Sequence, residues 1–90
     1  MSRAKLKRLV DDGCTMNVLC QGYFEWESLL EGSSSPNSIY DAINGTEGAL
    51  VEVFKGGNHM GNISIIDAGN ADEDIVDHHS TDYLNEMLWD

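Results

Sequence analysis

The 90-residue chain predicts an α+β fold: a four-stranded, mainly antiparallel sheet with short helices packed on one face and an acidic helical C-terminal tail. Three observations predict it. Cys14–Cys20, Ala49–Lys55 and His59–Ile66 place their apolar residues with a period near two, the spacing of half-buried strands. Between them, short runs framed by Ser2 and Gly13 or opened by Pro36 carry apolar residues at helical spacing. The last 21 positions, NADEDIVDHHSTDYLNEMLWD, combine an apolar stripe with a strongly acidic one.

Ser2 caps a first helix over Arg3–Asp12, with Leu6, Leu9 and Val10 on one face and Gly13 as the stop. Its basic face, Arg3, Lys5, Lys7 and Arg8, is expected to pair with the protein's own acidic surface. In Cys14–Cys20, residues Cys14, Met16, Val18 and Cys20 share one apolar face. Gln21-Gly22 is a turn signal. Tyr23–Glu31 (YFEWESLLE) reads either way. As a helix it gathers Tyr23, Trp26, Leu29 and Leu30. As a strand over Tyr23–Glu27 it pairs with Cys14–Cys20, and this is the reading adopted. Gly32–Asn37 is expected to be a loop. Pro36 suits the first position of a helix to Ile43, burying Ile39, Tyr40 and Ile43.

Ala49–Lys55 and His59–Ile66 make the clearest hairpin. A three-residue loop, Gly56-Gly57-Asn58, sets Val51 opposite Ile63, Val53 opposite Gly61 and Ala49 opposite Ile65. That register collects the β-branched residues on one face and lets Phe54 meet Met60 on the other.

In the tail, Asn70 and Glu73 fit a capping box, with Asp72, Glu73 and Asp74 favouring the positive end of the helix. Ile75, Val76 and His79 form one stripe; Tyr83, Leu84, Met87 and Leu88 form another. At 3.6 residues per turn the two are rotated by roughly 100°. A break is therefore expected near His78–Thr81, with Ser80 or Thr81 capping a second helix. Asp82, Glu86 and Asp90 line the polar face of that helix.

The charge is the dominant compositional fact. The net formal charge is −11, and from Leu9 onward 16 acidic residues stand against Lys55 alone. Such a field repels nucleic acid and anionic membranes and speeds encounter with basic proteins. The length predicts a single domain spanning residues 1–90 with a modest core. No apolar run reaches membrane-spanning length, and the first 20 residues lack a signal-peptide apolar segment. The expectation is a cytoplasmic protein with Cys14 and Cys20 reduced. On a strand these two lie about 20 Å apart, beyond disulfide reach.

Three short motifs touch on chemistry. LVDDGCTMN, within Arg8–Leu19, resembles the active-site signature of retroviral-type aspartic proteases. Asp11 matches the catalytic carboxylate, Gly13 the glycine, and Cys14 and Thr15 the next two positions. Asp12 stands where that family has the hydroxyl that orients its dyad. Asp77-His78-His79 resembles the tripeptide of the DHH phosphoesterases, which also need separate aspartate motifs for two metal ions. His78, His79 and Asp82 have metal-ligand spacing, but His79 fits the apolar face. Asn70-x-Asp72-x-Asp74 is similar to the start of an EF-hand loop, without its glycine or closing glutamate. None of these supplies a complete catalytic set, so no catalytic, cofactor or metal residue is assigned.

By type, the chain resembles small acidic phage-encoded inhibitors of host defence, the anti-CRISPR and anti-restriction proteins that imitate DNA. The resemblance is one of size and charge, with no motif matched. It implies a non-enzymatic inhibitor that occupies the nucleic-acid groove of a basic protein or complex, with no cofactor and no direct contact to nucleic acid or membrane. The partner-binding residues on this reading are Asp74, Asp77, Asp82 and Glu86 on the tail. Glu25, Glu27 and Glu31 form a second patch, and Tyr23, Trp26 and Trp89 are apolar anchors. The alternative is a small regulatory or assembly subunit that uses an apolar interface, including a homodimer through Met87, Leu88 and Trp89. In that case the acidity serves solubility. A small hydrolase built on the motifs above is a third class.

Overall fold

The computed structural model describes residues 2–46, 48–66, 77–79 and 81–88. The element order is α1 (Arg3–Asp11), β1 (Cys14–Gln21), β2 (Trp26–Ser33), α2 (Pro36–Asn44), β3 (Gly48–Lys55), β4 (Asn58–Ile66), β5 (Asp77–His79) and α3 (Asp82–Leu88). Every neighbouring pair in the sheet is antiparallel, in the order β2-β1-β3-β4-β5. The expected α+β fold is therefore present, with four full strands and a three-residue fifth.

The local signals explain most elements. Ser2 accepts from the Lys5 N–H and starts α1; Pro36 opens α2 behind Ser35, which accepts from the Ser38 N–H. Gly13 leaves α1 with φ +94°, a conformation that favours glycine. Leu6 and Leu9 of α1, Ile39, Tyr40 and Ile43 of α2, and Leu84 and Leu88 of α3 form one buried cluster. They pack with Cys14, Met16, Val18, Ala49, Val51, Val53, Ile63 and Ile65 of the sheet. All three helices thus cover the same sheet face. In β1, β3 and β4 alternate residues point into that layer, so the period of two became burial.

Five expectations need correction. The strand expected over Tyr23–Glu27 begins at Trp26, and the chain bends through 22–25. Its pairing with β1 is as expected, but β2 runs on to Ser33, through part of the loop expected at Gly32–Asn37. Two register shifts bulge β2, and the side-chain oxygen of Asn17 accepts from the Gly32 N–H at 2.7 Å. That bond satisfies a backbone donor where the ladder is interrupted.

At the β3–β4 hairpin the register Ala49–Ile65, Val51–Ile63, Val53–Gly61 is as expected. The turn is tighter, however. Gly56 (φ +59°) and Gly57 (φ +81°) close it as a two-residue turn, and Asn58 pairs with Lys55. A bulge between Val53 and Phe54 absorbs the difference, so Phe54 faces His59, not Met60; their rings are 5.3 Å apart. Met60 packs against the core.

The tail departs furthest from expectation. Its second half is the expected helix, with Thr81 as the cap: the Thr81 hydroxyl accepts from the Leu84 N–H. Residues Asp77–His79, expected to end the first tail helix at its break, instead form β5 against Ile63–Ile65 of β4. The free edge of β4 offers backbone partners to three residues, and pairing there outweighs a helix with uncompensated carboxylates. The capping box at Asn70 and Glu73, Asp72, Asp74, Ile75, Val76, Ser80, Trp89 and Asp90 lie outside the described residues.

Candidate functional site

The β1–β2 hairpin carries the largest exposed apolar surface among the described residues. Gln21 and Trp26 are its closing pair, leaving Gly22, Tyr23, Phe24 and Glu25 as the connection. The Gly22 N–H donates to the Glu25 carbonyl at 2.8 Å, and a Cβ on Gly22 would stand 2.5 Å from that same oxygen. Only glycine permits so close an approach. The bend throws Tyr23 and Phe24 outward, 91% and 93% exposed, with their rings edge to face at 4.6 Å. Trp26 and Leu29 follow on β2 at 49% and 44% exposure. Leu29 is the residue left over between the Ser28–Leu19 and Leu30–Val18 pairs, so the first bulge displays it. Exposed large apolar side chains in a group mark contact surfaces, because water opposes them unless something covers them.

Glu25, Glu27 and Glu31 are exposed on the same hairpin. Five expected partner-binding residues, Tyr23, Glu25, Trp26, Glu27 and Glu31, are thereby brought together. Asp82 and Glu86 are also exposed, but on α3, which packs on β4, β5 and α1. β2 is at the far edge of the sheet, three to four strand spacings or roughly 14–19 Å from the strands that α3 covers. The two acidic groups therefore do not form one face. Asp77 lies on β5, and its side chain, like Asp74 and Trp89 as a whole, is outside the described residues.

Their electrostatic settings also differ. α3 sits beside the basic helix: the Arg8 guanidinium donates to the Met87 carbonyl at 2.7 Å. Lys55 is paired with Cys14, at the end of β1 remote from the hairpin. All five basic residues of the chain lie on α1 or at that end of β3, and none is on the hairpin. The carboxylates of Glu25, Glu27 and Glu31 thus act without a cation on their own element.

Phe24, Leu29 and Asp41 are the residues that sequence reasoning passed over. The strand reading put Phe24 on one face with Trp26 and gave it no role. The signal against it was Gly22, which permits a sharp bend before the aromatic pair. Asp41, on α2, joins Tyr23, Trp26, Leu29, Gly45 and Thr46 around an open cleft of about 1150 Å³ between the hairpin and the end of α2.

A second polar cluster lies where α1 meets β1. The Asp12 carboxylate accepts from the Tyr83 hydroxyl at 2.6 Å and from Lys55 Nζ at 2.9 Å. These two bonds, the tyrosine's first, hold Asp12 below the usual carboxylate range. The Tyr83 oxygen is also 3.1 Å from the buried Cys14 Sγ. Burial, then the bonds to Asp12 and Cys14, push the Tyr83 phenol well above its ordinary value. Asp11, the residue that matches the protease signature, is ion-paired with Lys7 at 2.8 Å across one helical turn. The Lys7 ammonium is raised by that hydrogen bond and by the charge of Asp11. These contacts bind α1, β1, β3 and α3 to one another. They also account for part of the expected pairing of the basic helix with the protein's own acids.

Both cysteines are free, Cys14 buried and Cys20 half-buried. No three His, Cys, Asp or Glu side chains converge as a metal site among the described residues. No described helix is long and apolar enough to cross a membrane. No protein-family model, curated protein or solved structure matches the chain.

Proposed function

We propose that this chain is a non-catalytic inhibitor that binds a basic, nucleic-acid-binding protein, with the β1–β2 hairpin as its contact surface. One observation carries the reading: Tyr23 and Phe24 project almost wholly into solvent from the hairpin that also exposes Glu25, Glu27 and Glu31. Aromatic side chains dominate the binding energy of protein interfaces. Carboxylates beside them suit a groove whose natural ligand carries a negative charge about every 3.4 Å along each strand. The net charge of −11 steers the encounter. Exposed ion pairs contribute only about 0–1 kcal/mol each, so several pairs and an apolar anchor must act together. The hairpin provides both on one element. The activity is that of the DNA-imitating inhibitors of host defence that the chain resembles in size and charge.

Affinity capture from the native host, with partners identified by mass, tests the proposal. The expected catch is a basic nucleic-acid-binding protein that a chain carrying Glu25→Lys, Glu27→Lys and Glu31→Lys no longer retains. Capture that survives the triple substitution and 0.5 M salt, roughly three times physiological ionic strength, would remove the electrostatic reading.

The same exposed apolar group favours a second reading, a homodimer or assembly contact with acidity serving solubility. Antiparallel pairing of two β2 strands about Leu29 would, however, set Glu27 opposite Glu31, and like charges in register are unfavourable. Sedimentation equilibrium over a wide concentration range separates the two readings.

A further inference from the structure

We infer that the cleft between the β1–β2 hairpin and the C-terminal turn of α2 accepts an arginine side chain of the partner protein. The inference rests on the hairpin being the binding surface and names the group it recognises. Three features of the cleft select a cation. Tyr23 and Trp26 are two of its lining residues, and the negative face of an aromatic ring attracts a guanidinium. Asp41 lines it with a carboxylate and is exposed. Gly45 and Thr46, also on its wall, stand at the end of α2, where the helix presents the negative end of its dipole. No lysine or arginine of the chain lines the cleft, so no internal cation fills that role.

The shape favours arginine over lysine. A planar guanidinium can stack on an indole and hydrogen-bond a carboxylate in the same plane, whereas an ammonium is a compact, strongly hydrated point charge. Leu29, at the cleft wall, gives the methylene stem an apolar surface. The occupant is also the side chain in which a phosphate-binding groove is rich. One site thus joins aromatic anchoring to charge recognition.

The test uses the full chain, labelled with nitrogen-15, and a capped pentapeptide, Gly-Ser-Arg-Ser-Gly, followed by amide chemical shifts. The expected result is saturable shifts at Trp26, Leu29, Asp41 and Gly45, smaller with lysine in the peptide and absent with neutral citrulline. Trp26→Ala and Asp41→Asn should each raise the half-saturation concentration about two- to fivefold, the value of one exposed cation–π contact or ion pair. Unchanged amide positions at Val51 and Ile63 in both variants would show that the fold is kept. Equal shifts with citrulline, or indifference to both substitutions, would overturn the arginine site. In either case capture of the partner through Glu25, Glu27 and Glu31 would still be measurable on its own. Shifts of the same amides on concentrating the chain without peptide would give the cleft to a second copy, and would also overturn it.

Discussion

The Tyr83 hydroxyl donates to the Asp12 carboxylate at 2.6 Å, joining residues 71 positions apart in the chain. Arg8, one turn earlier on α1, donates to the Met87 carbonyl of the same helix. A helix of seven residues is too short to be stable by itself. α3 is held by these bonds and by burying Leu84 and Leu88.

Tyr83→Phe removes the hydroxyl but keeps the ring. Water can reach Asp12, so the expected loss is that of one ordinary hydrogen bond, about 1 kcal/mol. Urea unfolding measures it. A loss above about 3 kcal/mol would put the loss in the range of a core truncation and make Tyr83 a packing residue.

Asp12 also predicts an acid dependence. Its folded value is lowered by Tyr83 and Lys55. Its contribution is therefore complete above the unfolded value of about 3.9 and is lost as pH falls through the folded one. Asp12→Asn should flatten the stability profile below about pH 4 and leave its shape near neutrality unchanged. Lys7 has the opposite sign. Its raised value gives a contribution present below about pH 10.4 and lost above it as pH climbs through the folded value.

Ile63→Ala tests the core. Ile63 is fully buried opposite Val51, on the strand that α3 covers. Truncation should cost about 2–5 kcal/mol. A cost below 1 kcal/mol, about the size of one surface ion pair, would show that the sheet face is misassigned.

Thiol labelling separates the cysteines. In the folded protein Cys20 should react readily with a disulfide reagent, and Cys14 only as fast as the chain opens, because it is 1% exposed. Unreduced, unfolded protein should show both thiols free. Equal rates in the folded state would mean that α3 leaves β1 often.

Gly22→Ala probes the display of the hairpin. The new Cβ would meet the Glu25 carbonyl at 2.5 Å, so the bend must open. Capture of a basic partner should weaken. Global stability should change by less than about 1 kcal/mol, the usual range for a surface loop away from the core. Full retention of capture would show that the aromatic pair needs no fixed bend.

What the sequence determined by itself was local or rested on periodicity. Ser2 and Gly13 bounded α1 to within a residue, Pro36 opened α2, and the β-branched positions set the β3–β4 register. The charge and its absence of basic residues after Lys55 were likewise plain from composition. Tertiary structure decided three things. It drew Asp77–His79 onto the free edge of β4, where backbone pairing outweighed a helical pattern. It tied Tyr83 to Asp12 and Cys14. It put the acids of α3 and those of the hairpin at opposite edges of the sheet. The physical reason is common to all three. A cap or an alternating run acts within a few residues, whereas an edge strand, a long-range hydrogen bond and a shared surface depend on which distant segments the core brings together.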